Sequence, residues 1–120
     1  MGLTKVTTKL TSLETPGGSY EDVFLVDTGA SDSLAPKDEL REIGVAEVGR
    51  MSYEPADGTV REFAYGLVRI EFMGEVTAAR VIFADPGTEP ILGVTALESV
   101  GITVDPTNKT LKRLPAIPLK

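Results

Sequence analysis

Apolar residues in this chain recur mostly at every second position, in short runs broken by turn-forming residues. That alternation is the strand period, because successive side chains of a β-strand point to opposite faces. Residues 5–13 form one such run. Glu14-Thr15-Pro16-Gly17-Gly18-Ser19 reads as a turn, and residues 20–27 as a second strand whose last part is apolar on both faces. Residues 36–42 read as a short helical turn, with Pro36 in its first place and Gly44 as its stop. Residues 45–54 and 59–73 flank Pro55-Ala56-Asp57-Gly58. Asp-Gly between alternating runs is a strong hairpin signal, because glycine takes the φ > 0 position at no steric cost. Met73-Gly74-Glu75 reads as a second tight turn, leading into a strand at 76–84. Asp85 to Pro90 is a loop, Ile91-Leu92-Gly93 a short apolar strand, and 94–100 a helix ending at Gly101. Residues 102–104 and 110–114 bracket a last turn, and 115–120, with two prolines, read as irregular or as a sheet edge. The expected architecture is all-β: one domain over 1–120, a closed or partly closed barrel with one or two short helices.

A chain of 120 residues holds one ordinary core, since folding at this size buries roughly two-thirds of the unfolded surface. Two absences narrow the chemistry. With no cysteine there is no disulfide framework, thiol nucleophile or zinc–thiolate site. With no histidine, Ser-His-Asp and Cys-His catalysis are excluded, and so are most catalytic zinc sites. Hydrolysis here must run on carboxylates, hydroxyls, lysine or a hard metal. A net charge of −6 argues against a nucleic-acid partner, which needs a basic face to displace counterions. The stretch MGLTKVTTKL has no apolar core of a signal peptide, and Val6 breaks the myristoylation pattern. No apolar run approaches the roughly 20 residues of a membrane span. The expectation is a soluble cytoplasmic protein with no membrane partner.

The strand Val23-Phe24-Leu25-Val26 ends on an acid, Asp27, followed by Thr28-Gly29-Ala30-Ser31. A lone carboxylate at the end of an apolar strand is costly to desolvate, so it must be exposed, paired or protonated. One solution is a second carboxylate at contact distance with a single proton shared between the two. Such a dyad can hold a water, deprotonate it with one member and protonate a carbonyl oxygen with the other. The neighbours suit that use. The Thr28 hydroxyl can anchor the loop, Gly29 allows a sharp turn and close substrate approach, and Ala30 keeps the floor small.

Asp27-Thr28-Gly29-Ala30-Ser31 behind Phe24-Leu25-Val26 resembles the catalytic loop of the retropepsin-like aspartic proteases. Ile91-Leu92-Gly93 and the helix after it resemble that family's second apolar-apolar-Gly signature. The hairpin between them resembles the flap, with Val60-Arg61-Glu62-Phe63 and Leu67-Val68-Arg69-Ile70-Glu71 on its descending strand. The resemblance spans roughly residues 20–105 and is nearest to the single-domain proteins of cellular, mainly bacterial, organisms. It implies a retropepsin-like acid-protease barrel with a flap hairpin and one short C-terminal helix. It also implies a homodimer, because the chain holds one such motif and the dyad needs two acids. The terminal strands at 5–13 and 110–114 are then expected in the interface. Asp27 would be catalytic, with Thr28, Gly29 and Ala30 supporting its loop. Ala56, Asp57 and Gly58 of the flap, and Thr88 of the Asp85–Pro90 loop, would contact a peptide or protein substrate. No metal or cofactor is implied.

Two departures stand out. Val94 occupies the place where retroviral enzymes usually carry Arg, and Ser31 the place where they often carry an acid. Both halves of that ion pair are absent together, so no buried charge is left alone. The flap also lacks the glycine-rich tip of the viral enzymes. Plainer readings exist beside these. Asp27 and Asp57-Gly58 can be ordinary turn residues, and Ile91-Leu92-Gly93 can be core packing. Asp32 and Asp38 match no calcium-loop spacing. Tyr53, on the hairpin, reads as an exposed or core-edge residue, although it could reach down from there. Two functions follow: an aspartic endopeptidase, or a catalytically silent module for dimerisation or for binding a peptide along a strand edge.

Overall fold

The computed structural model describes residues 4–14, 17–54 and 57–119. Among these, nine strands and two short helices follow one another as β1 (Lys5–Ser12), β2 (Ser19–Asp27), β3 (Ser33–Pro36), α1 (Lys37–Glu42), β4 (Gly49–Tyr53), β5 (Arg61–Phe72), β6 (Glu75–Ala84), β7 (Ile91–Gly93), α2 (Val94–Ser99), β8 (Ile102–Asp105) and β9 (Thr110–Arg113). The large sheet runs β1-β2-β7-β3-β6-β5-β4, and β1 also pairs with β5. That last pairing closes a six-stranded barrel and leaves β4 outside it as an edge strand. The strands β8 and β9 make a separate two-stranded sheet.

The alternation in the sequence explains the packing. Along β5, Ala64, Val68, Ile70 and Phe72 face inward while Leu67 and Arg69 face out. Leu10 of β1, Phe24 of β2, Val81 of β6 and Leu92 of β7 close on them with no exposed surface. Each such side chain contributes about 1.5–3 kcal/mol by leaving water. Leu40 of α1 and Leu97 of α2 cap the same core. The β5–β6 hairpin turns through Met73 and Gly74, at φ of 52° and 76°. Two consecutive left-handed residues match the twist of the flanking strands, which is why a glycine stands there.

Several expectations shift. The strand β3 is not among the expected elements; it is short, and Ser33 and Pro36 obscure its pattern. Its place is nonetheless central. It pairs in parallel with β6 and touches β7 at Leu34 opposite Ile91. Both short helices are present, the first where the helical turn at 36–42 was expected, but Pro36 stands at its N-cap position, at the end of β3, and not as its first residue. The hairpin strand begins at Gly49 and not at 45, because 45–48 crosses close to Gly66. A Cβ on Gly66 would lie 2.6 Å from Val45 Cγ1 and 2.7 Å from the Ala46 carbonyl oxygen. The strand β1, expected at an interface, is paired on both sides from Thr8 to Thr11, with β2 and with β5. It offers no free edge there.

Candidate active site

Strand β7 lies between β2 and β3, which are consecutive in sequence. The chain must therefore arch over the end of β7 to pass from one to the other, and Asp27–Asp32 is that arch. It opens with a tight turn in which the Ala30 amide donates to the Asp27 carbonyl at 3.1 Å. Inside it the Gly29 amide donates to Asp27 Oδ1 at 2.9 Å. The carboxylate is thus oriented by its own loop. Among the described residues, Asp27 Oδ2 has no hydrogen-bond or ion-pair partner, and the residue is half exposed.

The arch is braced from below. Asp27 is paired with Gly93 across the parallel β2–β7 ladder. The amides of Val94 and Thr95, which open α2 and have no partner within the helix, donate to the carbonyls of Ala30 and Ser31 at 2.8 and 3.1 Å. The Gly93 amide donates to the buried Ser33 hydroxyl at 3.0 Å. Gly93 is required for a geometric reason: a Cβ there would lie 2.6–2.7 Å from the backbone of Ser31 and Asp32. Ile91-Leu92-Gly93 is core packing at Leu92 and loop support at Gly93.

Thr28 differs from expectation. It is exposed, and among the described residues its hydroxyl makes no hydrogen bond, so it does not anchor the loop within this chain. It lines a groove of about 420 Å³ with Val94, Leu97, Ile102, Val104 and Leu114. Ala30 is half-buried and holds its place through backbone bonds alone.

Of the substrate-contact residues expected on the hairpin, Ala56 lies outside the described residues. Asp57 and Gly58 are exposed at the tip, with Gly58 at φ 82° and the Thr59 amide bound to Asp57 Oδ1 at 2.9 Å. That is turn geometry, and no hydrogen bond joins either residue to the Asp27 arch. Thr88 lines a shallow depression with Tyr20, Asp22, Asp38 and Glu39, which does not include Asp27. Asp38 lies there, while Asp32 lies against Tyr53, so these two acids sit in different settings.

The contact between hairpin and arch is made by Tyr53. Its hydroxyl donates to Asp32 Oδ2 at 2.9 Å. Partial burial, reinforced by the Asp32 carboxylate, raises the phenol above its usual value; the Arg80 guanidinium works in the opposite direction. Period-two reasoning places Tyr53 on the hairpin but says nothing of its partner. Only the three-dimensional course of the arch brings Asp32 beneath it.

No family model matches the chain, and no curated protein matches it. The fold itself defines an all-β protein built on a closed six-stranded barrel. No helix among the described residues is long and apolar enough to cross a membrane.

Proposed function

We propose that the protein is a retropepsin-like aspartic endopeptidase, assembled as a homodimer in which each subunit supplies one Asp27. The observation that carries this reading is the setting of Asp27. It ends a barrel strand, one carboxylate oxygen is fixed by the Gly29 amide, and the other has no partner among the described residues. Half of a shared-proton dyad needs that arrangement: one oxygen oriented, one left for a water and a second acid. The Thr28 hydroxyl, unpartnered among the described residues, and the groove beside it fit the same picture, since both would accept a neighbouring surface. A two-fold axis near the arch would supply it with a second copy of the same surface.

Chemically, the ionised Asp27 takes a proton from a water held between the two acids. The water oxygen bonds to the peptide carbonyl carbon while the protonated acid donates to the carbonyl oxygen. The resulting diol collapses, the amide nitrogen takes a proton, and the C–N bond breaks to give a carboxylic acid and an amine. One carboxylate acts as base and the other as acid, so the rate is expected to be bell-shaped in pH and acid-leaning.

The test is cleavage of a broad peptide library from about pH 4 to pH 7, with Asp27→Asn as control. The expected outcome is activity in the native chain and a loss of about 10³-fold in the variant, which keeps the size of the side chain but not its basicity. Equal rates, or no cleavage of any peptide, would favour the silent binding module.

A further inference from the structure

The strand β4 lies outside the barrel and, among the described residues, pairs only with β5, so the far part of this hairpin is a two-stranded ribbon. Such a ribbon is marginally stable in water on its own. Most of β4 is exposed, from Arg50 to Ser52. Something must hold the hairpin in a defined position against the arch if it is to cover a substrate bound there.

Tyr53 and Asp32 have the geometry for it. The hydrogen bond between them spans 21 positions of sequence and joins the hairpin arm to the end of the arch. Neither end is loose. The Tyr53 ring packs edge-on against Phe63 of the opposite arm, with centroids 6.2 Å apart. Asp32 belongs to the segment held by the α2 amides and by the close approach of Gly93. Arg80 of β6 completes the cluster from the barrel wall: its guanidinium lies 4.4 Å over the Tyr65 ring and donates to the Met51 sulfur. A hydrogen bond onto a carboxylate is roughly twice as strong as a neutral one. The ion pair between Arg61 and Asp85, also at the hairpin, is solvent-exposed at 3.6 Å and therefore weak.

We propose that Tyr53 is a positioning residue that clasps the hairpin to the Asp27–Asp32 arch through Asp32, and so fixes where the hairpin stands relative to Asp27. The clasp stands on geometry alone; its effect on catalysis rests on the endopeptidase reading.

The experiment reads both. Amide hydrogen exchange is followed along β4 and the first residues of β5 in the native chain, Tyr53→Phe, Asp32→Ala and Asp32→Asn, with peptide-cleavage kinetics on the same four proteins. Tyr53→Phe keeps the ring on Phe63 and loses only the hydroxyl; Asp32→Asn keeps an acceptor oxygen. The expected result is hairpin exchange faster by about tenfold in Tyr53→Phe and Asp32→Ala. Asp32→Asn should keep most of the protection, and the barrel strands should be unchanged in all four. KM should rise severalfold in the first two variants with a smaller change in kcat. The double variant Tyr53→Phe/Asp32→Ala should be no worse than either single one, because the two share one interaction. Hairpin exchange in Tyr53→Phe equal to that of the native chain would overturn the clasp. Faster exchange with unchanged kinetics would overturn its positioning role. If the native chain cleaves nothing, the endopeptidase reading falls, and the exchange data still decide the clasp.

Discussion

At the scale of single residues, the arch over β7 depends on what is missing as much as on what is present. Gly93 lets two backbones approach within van der Waals range, and the atoms a side chain would meet are main-chain atoms of Ser31 and Asp32 that cannot swing aside. Gly93→Ala is therefore expected to destabilise by about 3 kcal/mol, the upper end of ordinary overpacking, measured by denaturant unfolding. A change below about 0.5 kcal/mol, the range of an ordinary surface substitution, would show that the arch is not held as described. Glycine in an apolar triplet reads from the sequence as a strand end, and nothing in the triplet says which backbone will pass over it. Asp27 was more legible, because a carboxylate closing an apolar strand poses an energetic problem visible in one dimension. The isolation of the Thr28 hydroxyl was not visible there, since a hydroxyl beside an acid reads as a local anchor. The structure points it to the groove instead.

At the scale of elements, period-two patterning found the long strands because their faces differ in burial, as along β5. It failed at β3, where four residues hold too little pattern and are buried almost throughout. The β8–β9 hairpin, read from its Asp-Pro-Thr-Asn turn, shows how such a turn is fixed. Asp105 accepts the amides of Thr107 and Asn108 at 2.9 and 3.2 Å, and the Asn108 side-chain amide at 3.1 Å. These bonds, the Asn108 backbone foremost, favour the charged form and lower its pKa below the ordinary 3.8. A depressed acid contributes stability that is present above its unfolded value and lost as pH falls through the folded one. Asp105→Ala is thus expected to destabilise at about pH 6 and to differ much less from the native chain near pH 2, measured by thermal or denaturant unfolding. Equal differences at both pH values would mean that the charge of Asp105 does not hold this turn.

At the scale of the whole molecule, a closed barrel has no spare edge to give away, and this one uses β1 to close itself. Association through β1 is thereby ruled down along Thr8–Thr11, where both sides are paired. The surfaces a second copy could use include the small β8–β9 sheet, the free edge of β4, the arch, and the groove lined by exposed Leu114 and Ile117. A stable interface there is expected to bury more than about 1,200 Å². The proposed two-chain site makes a quantitative demand. If each site needs one Asp27 from each subunit, native and Asp27→Asn chains that exchange freely will form mixed dimers with half a dyad, and these will be inactive. Unfolding native and variant chains together in varied ratios, refolding them and measuring peptide cleavage tests this most directly. The account predicts activity that falls as the square of the native fraction, so that an equal mixture retains about a quarter of the native rate. Activity falling in simple proportion, to about half, would mean that each chain carries a complete site and that the shared dyad does not exist.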